Sequence, residues 1–180
     1  IAGVDEVGRG CIAGPVVAAA VILQANIEGI KDSKKLSEKK RNELSELIKS
    51  NAIYSFGLSS NDEIDEFNIQ NATFLAMQRA VKNLSVQPKK ILVDGNQVFE
   101  TNLPIEAIVG GDNLITSISA ASIIAKVYRD KIMQDLAAKF PHYSFEKHKG
   151  YPTKQHYEAI KHYGICEFHR KSFKGVLRGE

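Results

Sequence analysis

The eight residues Val16-Val17-Ala18-Ala19-Ala20-Val21-Ile22-Leu23 are apolar without interruption. A half-exposed strand alternates apolar and polar residues, and a surface helix repeats its apolar positions every three or four. An unbroken short run fits neither pattern. It predicts a strand buried on both faces, and hence a sheet with cover on each side. It is too short to cross a bilayer, which takes about 20 apolar residues.

The remaining elements agree with a layered α/β chain. Residues 1–6 predict a first strand, joined to 16–23 through the turn Gly8-Arg9-Gly10. Ser37 is placed to cap a helix running to about Lys49, and 52–58 predict a third strand. One helix is expected from Asn61 or Asp62 to about Asn83, with Ile64, Phe67, Phe74, Leu75 and Met77 as its apolar positions. Ile91 to Asp94 read as a short buried strand and Ile105 to Val109 as a fifth. A long helix should run from about Leu114 to Lys139, on a stripe of Leu114, Ile118, Ala121, Ala125, Ile132, Leu136 and Phe140. Ser119, Ser122, Lys126 and Arg129 fall on another face of it. Pro141 ends that helix, and a last one is expected from Lys154 to His162, stopped by Gly164. The expectation is a mixed five-stranded sheet flanked by helices, with a main body over 1–140 and a basic helical segment over 141–180 packed on it.

Charges at strand ends carry the chemical signal. Asp5-Glu6 closes the first strand, Asp94 the fourth, and Asp112 follows the fifth. A carboxylate inside or beside an apolar strand is costly unless it is paired or holds a metal. If the strands are neighbours, these acids converge at one sheet edge. Hard oxygen ligands of that kind suit Mg²⁺ or Mn²⁺ rather than zinc, and no histidine lies near any of them in sequence. Two such ions, roughly 4 Å apart, activate a water and stabilise the leaving oxygen of a phosphodiester. Strand alternation points Asp5 and Glu6 to opposite faces, so both serve one cluster only if the strand ends or bends there. Asp94 and Asp112 also have ordinary readings, as a turn residue and a helix cap.

Residues 139–178 carry nine Lys/Arg against three Asp/Glu, although the whole chain is only +3. All five histidines and several tyrosines lie there too. Such a segment suits a nucleic-acid surface, or equally a solvated helical face over core aromatics. Lys34-Lys35 before a helix start could hold a phosphate. Gly150 and Pro152 would fix Tyr151 on a rigid loop, where its ring could stack on a sugar or base. The Gly8-Arg9-Gly10 backbone could approach a ligand closely and read a 2′-OH. Cys11 and Cys166 have no metal-binding spacing and fit a reducing, cytoplasmic setting. The chain opens on Ile1, so an initiating Met and a few residues are expected before it, and no secretory signal pattern is seen.

Six segments together resemble ribonuclease HII, the type 2 ribonuclease H family: Gly3-Val4-Asp5-Glu6-Val7-Gly8-Arg9-Gly10, Asp32-Ser33-Lys34-Lys35-Leu36, Leu92-Val93-Asp94-Gly95-Asn96, Gly111-Asp112, Ser119 to Val127, and His148-Lys149-Gly150-Tyr151-Pro152-Thr153. The resemblance implies a ribonuclease H-like fold with Asp5, Glu6, Asp94 and Asp112 as catalytic acids and ligands of two divalent ions. It implies that Gly8, Arg9 and Gly10 sense the ribose 2′-OH and that Tyr151 packs on the following deoxyribose. Lys34, Ser119 and Ser122 become candidates for holding phosphates. The implied activity is cleavage of RNA in RNA/DNA hybrids and nicking 5′ of ribonucleotides in duplex DNA, leaving 3′-OH and 5′-phosphate ends. A cytoplasmic monomer with nucleic acid as its partner, and no membrane association, is expected. Cys11 departs from the proline common after Gly-Arg-Gly in that family. The acids alone leave open a DNA nuclease or strand-transfer enzyme of the same fold, and the basic segment alone would suit a non-catalytic binding module.

Overall fold

The computed structural model describes residues 1–30 and 33–177; Asp32 of the basic turn and Arg178 of the C-terminal segment lie outside them. Five strands form one mixed sheet: β1 (Ala2–Val7), β2 (Val16–Leu23), β3 (Ala52–Ser59), β4 (Ile91–Asp94) and β5 (Ile105–Ile108), in the spatial order β3-β2-β1-β4-β5. β1, β2 and β3 form an antiparallel meander, while β4 and β5 run parallel to β1. The helices are α1 (Glu38–Ser50), α2 (Asn61–Phe67), α3 (Ile69–Lys82), α4 (Gly111–Leu114), α5 (Thr116–Lys139), α6 (Phe145–His148) and α7 (Lys154–Tyr163).

The unbroken apolar run is β2, and its alternate side chains enter two different cores. Val16, Ala18 and Ala20 pack with Ala72, Ala76, Met77 and Ala80 of α3. Val17, Ala19 and Val21 pack with Leu44 and Ile48 of α1 and with Ala120, Ala121 and Ile124 of α5. Small residues let the layers approach closely. A Cβ on Gly3 of β1 would lie 2.2 Å from the Ser117 backbone carbon in α5, and one on Gly57 of β3 would lie 2.0 Å from the Ala76 carbonyl in α3. A third core joins the C-terminal half of α5 (Met133, Leu136) to Tyr143, Phe145, Ile160 and Val176.

Two expectations need correction. The single helix over 61–83 is two helices, broken at Asn68, whose φ of 72° no helix tolerates. Its side chain accepts a hydrogen bond from the Asn71 N–H and so starts α3 afresh. Phe67, at the end of α2, is exposed rather than core. The long helix starts at Thr116, after the single turn α4, and Leu114 is exposed outside its stripe. Of the two readings of the aromatic and histidine-rich C-terminal segment, the one with core aromatics holds for part of it: Tyr143, Phe145, His148, His156, His169 and Arg170 are all buried beneath an exposed basic surface. Its composition reports a core for these residues, with His142, His162 and Tyr163 left at the surface. Among the described residues no helix is long and apolar enough to cross a membrane.

Candidate active site

β1 and β4 pair in parallel with Gly3 opposite Leu92 and Val4 opposite Val93. One further step along this register sets Asp5 beside Asp94. The even-numbered Ala2 and Val4 and the odd-numbered Ile91 and Val93 all face the α3 core. Asp5 and Asp94 therefore project together from the opposite face, toward α4 and the start of α5. β4 ends at Asp94 because Gly95 turns away with φ of 118°.

Glu6 leaves the other face, as alternation requires. It lines a cavity of about 320 Å³ with Arg9, Gln70, Phe74, Met77, Asp94, Gly95, Asn96 and Gln97. Asp94 borders this cavity as well, so the strand end itself lets the two faces communicate. Asp112, in α4, closes the row: its N–H donates to Asp94 Oδ1 at 3.0 Å, and its carboxylate meets Lys34 Nζ at 2.5 Å. Gly111 is needed for this approach, since a Cβ there would collide with Ile118 and lie 3.5 Å from Asp94 Oδ1.

The electrostatics of the row are strained. Burial pushes Asp5 well above the usual carboxylate range, and the charges of Glu6 and Asp94 push it further. Burial also raises Glu6, against an opposing hydrogen bond from Asp5 and the nearby Arg9. Asp94 is raised by burial and by the charge of Asp112, with the Asp112 N–H and Lys34 working the other way. Glu6 Oε2 is buried with no hydrogen-bond partner among the described residues. Also among them, no three His, Cys, Asp or Glu side chains stand together as a closed cation cage. The acids form a chain of neighbours rather than a cage. A row of desolvated oxygen donors with one oxygen unsatisfied is the donor set that a hard divalent cation fits, and Lys34 already supplies one positive charge at its edge.

Lys34 and Ser122 come together with Arg41, Ile123 and Lys126 around a recess of about 200 Å³. Ser119 does not open into it. Its hydroxyl is buried and donates to the backbone carbonyls of Asp112 and Ile115, which holds α4 against α5. Arg129, expected on the same helix face, is also buried. It donates to the carbonyls of Ala13 (2.9 Å), Pro15 (2.9 Å) and Lys149 (2.6 Å).

The Gly8-Arg9-Gly10 turn follows directly from β1. Gly8 has φ of 95°, and a Cβ there would lie 2.3 Å from Arg129 Nε. Arg9 and Gly10 are exposed, and among the described residues no acceptor meets their N–H groups. Tyr151 stands beside the turn, 39% exposed, on a loop tied to it by Ile12 N–H donating to the Gly150 carbonyl. The Cys11 thiol lies against the Tyr151 hydroxyl and the Lys149 carbonyl, and burial raises its pKa. The residue that sequence reasoning missed is Arg170, fully buried beneath this turn and bonded to four of its carbonyls. No sequence signal marks it, because its partners are backbone oxygens.

A family model described as Ribonuclease HII matches residues 2–176. The ribonuclease HII of Shewanella pealeana is 57% identical over 178 residues, spanning 97% of this chain and 88% of that protein. Among solved structures, ribonuclease H2 from Pyrococcus horikoshii superposes with a TM-score of 0.84 at 30% identity, covering 99% of this chain and 96% of that one. Ribonuclease HII of Archaeoglobus fulgidus, solved in complex with PCNA, gives 0.81 at 28% identity, covering 96% and 94%.

Proposed function

The chain belongs to the ribonuclease HII family and is an endoribonuclease of the ribonuclease H type; on that premise we propose that it cuts the RNA strand of RNA/DNA hybrids and nicks duplex DNA 5′ of an embedded ribonucleotide, leaving 3′-OH and 5′-phosphate ends. The observation that carries this reading is the placement of Asp5 and Asp94 side by side at the ends of adjacent strands, next to an exposed glycine turn. Asp5, Glu6, Asp94 and Asp112 would hold two divalent cations, Mg²⁺ or Mn²⁺. When bound, the cations supply Lewis acidity for water activation and neutralise charge on the leaving oxygen.

The chain's own groups prepare the site. Burial, and then the charges of Glu6 and Asp94, raise the pKa of Asp5, and a cation held between these carboxylates would favour their charged form. The Asp112 N–H fixes the orientation of Asp94. Lys34 and Ser122, with the basic recess around them, hold phosphates of the substrate strand. Ser119 acts one step back, keeping Asp112 in place. The free N–H groups of Arg9 and Gly10, with Gly8 giving the backbone its turn, read the ribose 2′-OH, and Tyr151 packs on the next sugar. All of these residues belong to one chain, so a monomer in the cytoplasm suffices for the reaction. We assign the catalytic body to residues 1–140 and the substrate-contacting segment to 141–180, whose described part, to residue 177, packs on that body and carries Tyr151.

The test is cleavage of three duplexes: an RNA/DNA hybrid, DNA with one ribonucleotide, and DNA alone, each with and without Mg²⁺ or Mn²⁺. The first two are cut only with the cation, the second 5′ of the ribonucleotide, and the third stays whole. Asp94→Asn lowers cleavage by roughly 1,000-fold or more with the fold retained. Equal cutting of pure DNA overturns the reading in favour of a DNA nuclease. Binding of all three duplexes with no product indicates a binding module.

A further inference from the structure

Arg170 is fully buried, yet among the described residues no carboxylate pairs with it. Its guanidinium donates instead to the carbonyls of Gly8 (2.7 Å), Arg9 (3.0 Å), Cys11 (2.6 Å) and Gly14 (3.0 Å). Its own N–H donates to the Ile12 carbonyl at 2.8 Å. Arg129 takes the carbonyls of Ala13 and Pro15. From Gly8 to Pro15, Gly10 alone keeps a carbonyl without a partner among the described residues.

Burying a cation costs several kcal/mol, and a well-packed apolar side chain is commonly as stabilising. Water would satisfy the carbonyls of a surface turn at no such cost. What the guanidinium adds is a choice of conformation. With the oxygens drawn inward to a rigid fork, the peptide planes of Arg9 and Gly10 cannot rotate, and their N–H groups stay turned out. A flexible glycine turn would otherwise sample many arrangements and order itself only on binding.

We propose that Arg170 is a positioning residue for ribose discrimination: it pins the Gly8–Gly14 backbone so that the free N–H groups of the turn are presented to a sugar 2′ oxygen. The proposal rests on the reading above that this turn senses the 2′-OH. Burial lowers the pKa of Arg170 to about 10, so the guanidinium is still charged at neutral pH. The Phe173 ring lies 5.1 Å from the guanidinium carbon, and the four carbonyls themselves hold the fork in place.

The experiment compares single-turnover cleavage of two duplexes, one with a single ribonucleotide and one with a 2′-fluoro nucleotide at the same position. Fluorine fills similar space and is a poor hydrogen-bond acceptor. Wild type favours the ribonucleotide by roughly 100-fold or more. Arg170→Lys keeps the charge and loses the fork, and its preference falls to about 10-fold or less while circular dichroism shows the native fold. An undiminished preference in folded Arg170→Lys overturns the proposal. Phe173→Leu, which leaves every bond to the turn, retains the wild-type preference. Loss of preference in that variant means that general loosening of the segment sets it, which also overturns the proposal. Should Arg170→Lys fail to fold, Arg129→Lys takes its place: it frees Ala13 and Pro15 and lowers the preference, and no change counts against the proposal. A wild type that does not distinguish the two duplexes instead refutes the 2′-OH reading beneath it.

Discussion

Single residues set the limits of this site. Gly8 has a positive φ and no room for a methyl group over Arg129. Gly8→Ala therefore costs about 1–2 kcal/mol for backbone strain alone, with the displaced Arg129 adding to it. The expected result is a lower thermal midpoint and a larger loss of cleavage than of folded protein, checked by melting and activity on the same sample. Wild-type activity from Gly8→Ala contradicts this placement of the turn. The acids were legible in the sequence because a charge in an apolar strand has few harmless explanations. Arg170 and Arg129 were not, because a guanidinium that pairs with backbone carbonyls leaves the same trace as one on a solvated face. Ser119 misled for a related reason: helical spacing groups it with Ser122, but helix α5 turns it inward onto α4.

At the scale of elements, strands were read closely and helix ends less so. β2 starts and stops where its apolar run does. The break at Asn68 was missed because helical periodicity continues on both sides of it, and only a positive φ interrupts the chain. The C-terminal histidines show what composition hides. His169 Nδ1 accepts from the Cys166 N–H, so its Nε2 donates to His156 Nε2 at 2.9 Å, and His156 Nδ1 donates to the Tyr151 carbonyl at 3.0 Å. His148 stacks on His156 with ring centroids 4.2 Å apart. This chain has no place for an added proton. Burial lowers His156 to about 3 and His169 to about 4, and it also lowers His148. A histidine depressed below its unfolded value near 6.5 contributes stability that is complete above that value. The contribution is lost as pH falls below it, because the unfolded chain then binds protons the folded one refuses. Each histidine adds a slope of up to about 1.4 kcal/mol per pH unit in that window. Urea melts between about pH 7 and pH 5 should therefore show wild type losing stability more steeply than His156→Asn. The comparison cancels the opposing contribution of the buried acids, which gain stability on protonation. Equal slopes contradict the neutral chain.

The whole molecule joins two ends of the sequence at one edge of the sheet. The turn after β1 is held from beneath by Arg170, bridged to His169 through Ala13, and flanked by the Tyr151 loop. Beside it the β1–β4 register lines up Asp5 and Asp94, which no local pattern could show, since it depends on which strands are neighbours. That arrangement crowds buried carboxylates with only Lys34 and Arg9 as nearby positive charges, so the acids cost stability that a bound cation would return. The direct test is the thermal midpoint of wild type, Asp5→Asn and Asp94→Asn in metal-free buffer and with Mn²⁺. Wild type should rise with Mn²⁺, by the equivalent of about 2.7 kcal/mol at 100 times the dissociation constant. Each variant should melt as high as wild type or higher without metal, and should gain little when Mn²⁺ is added. A full Mn²⁺-dependent rise in Asp5→Asn and Asp94→Asn would contradict the claim that these carboxylates form one cation site.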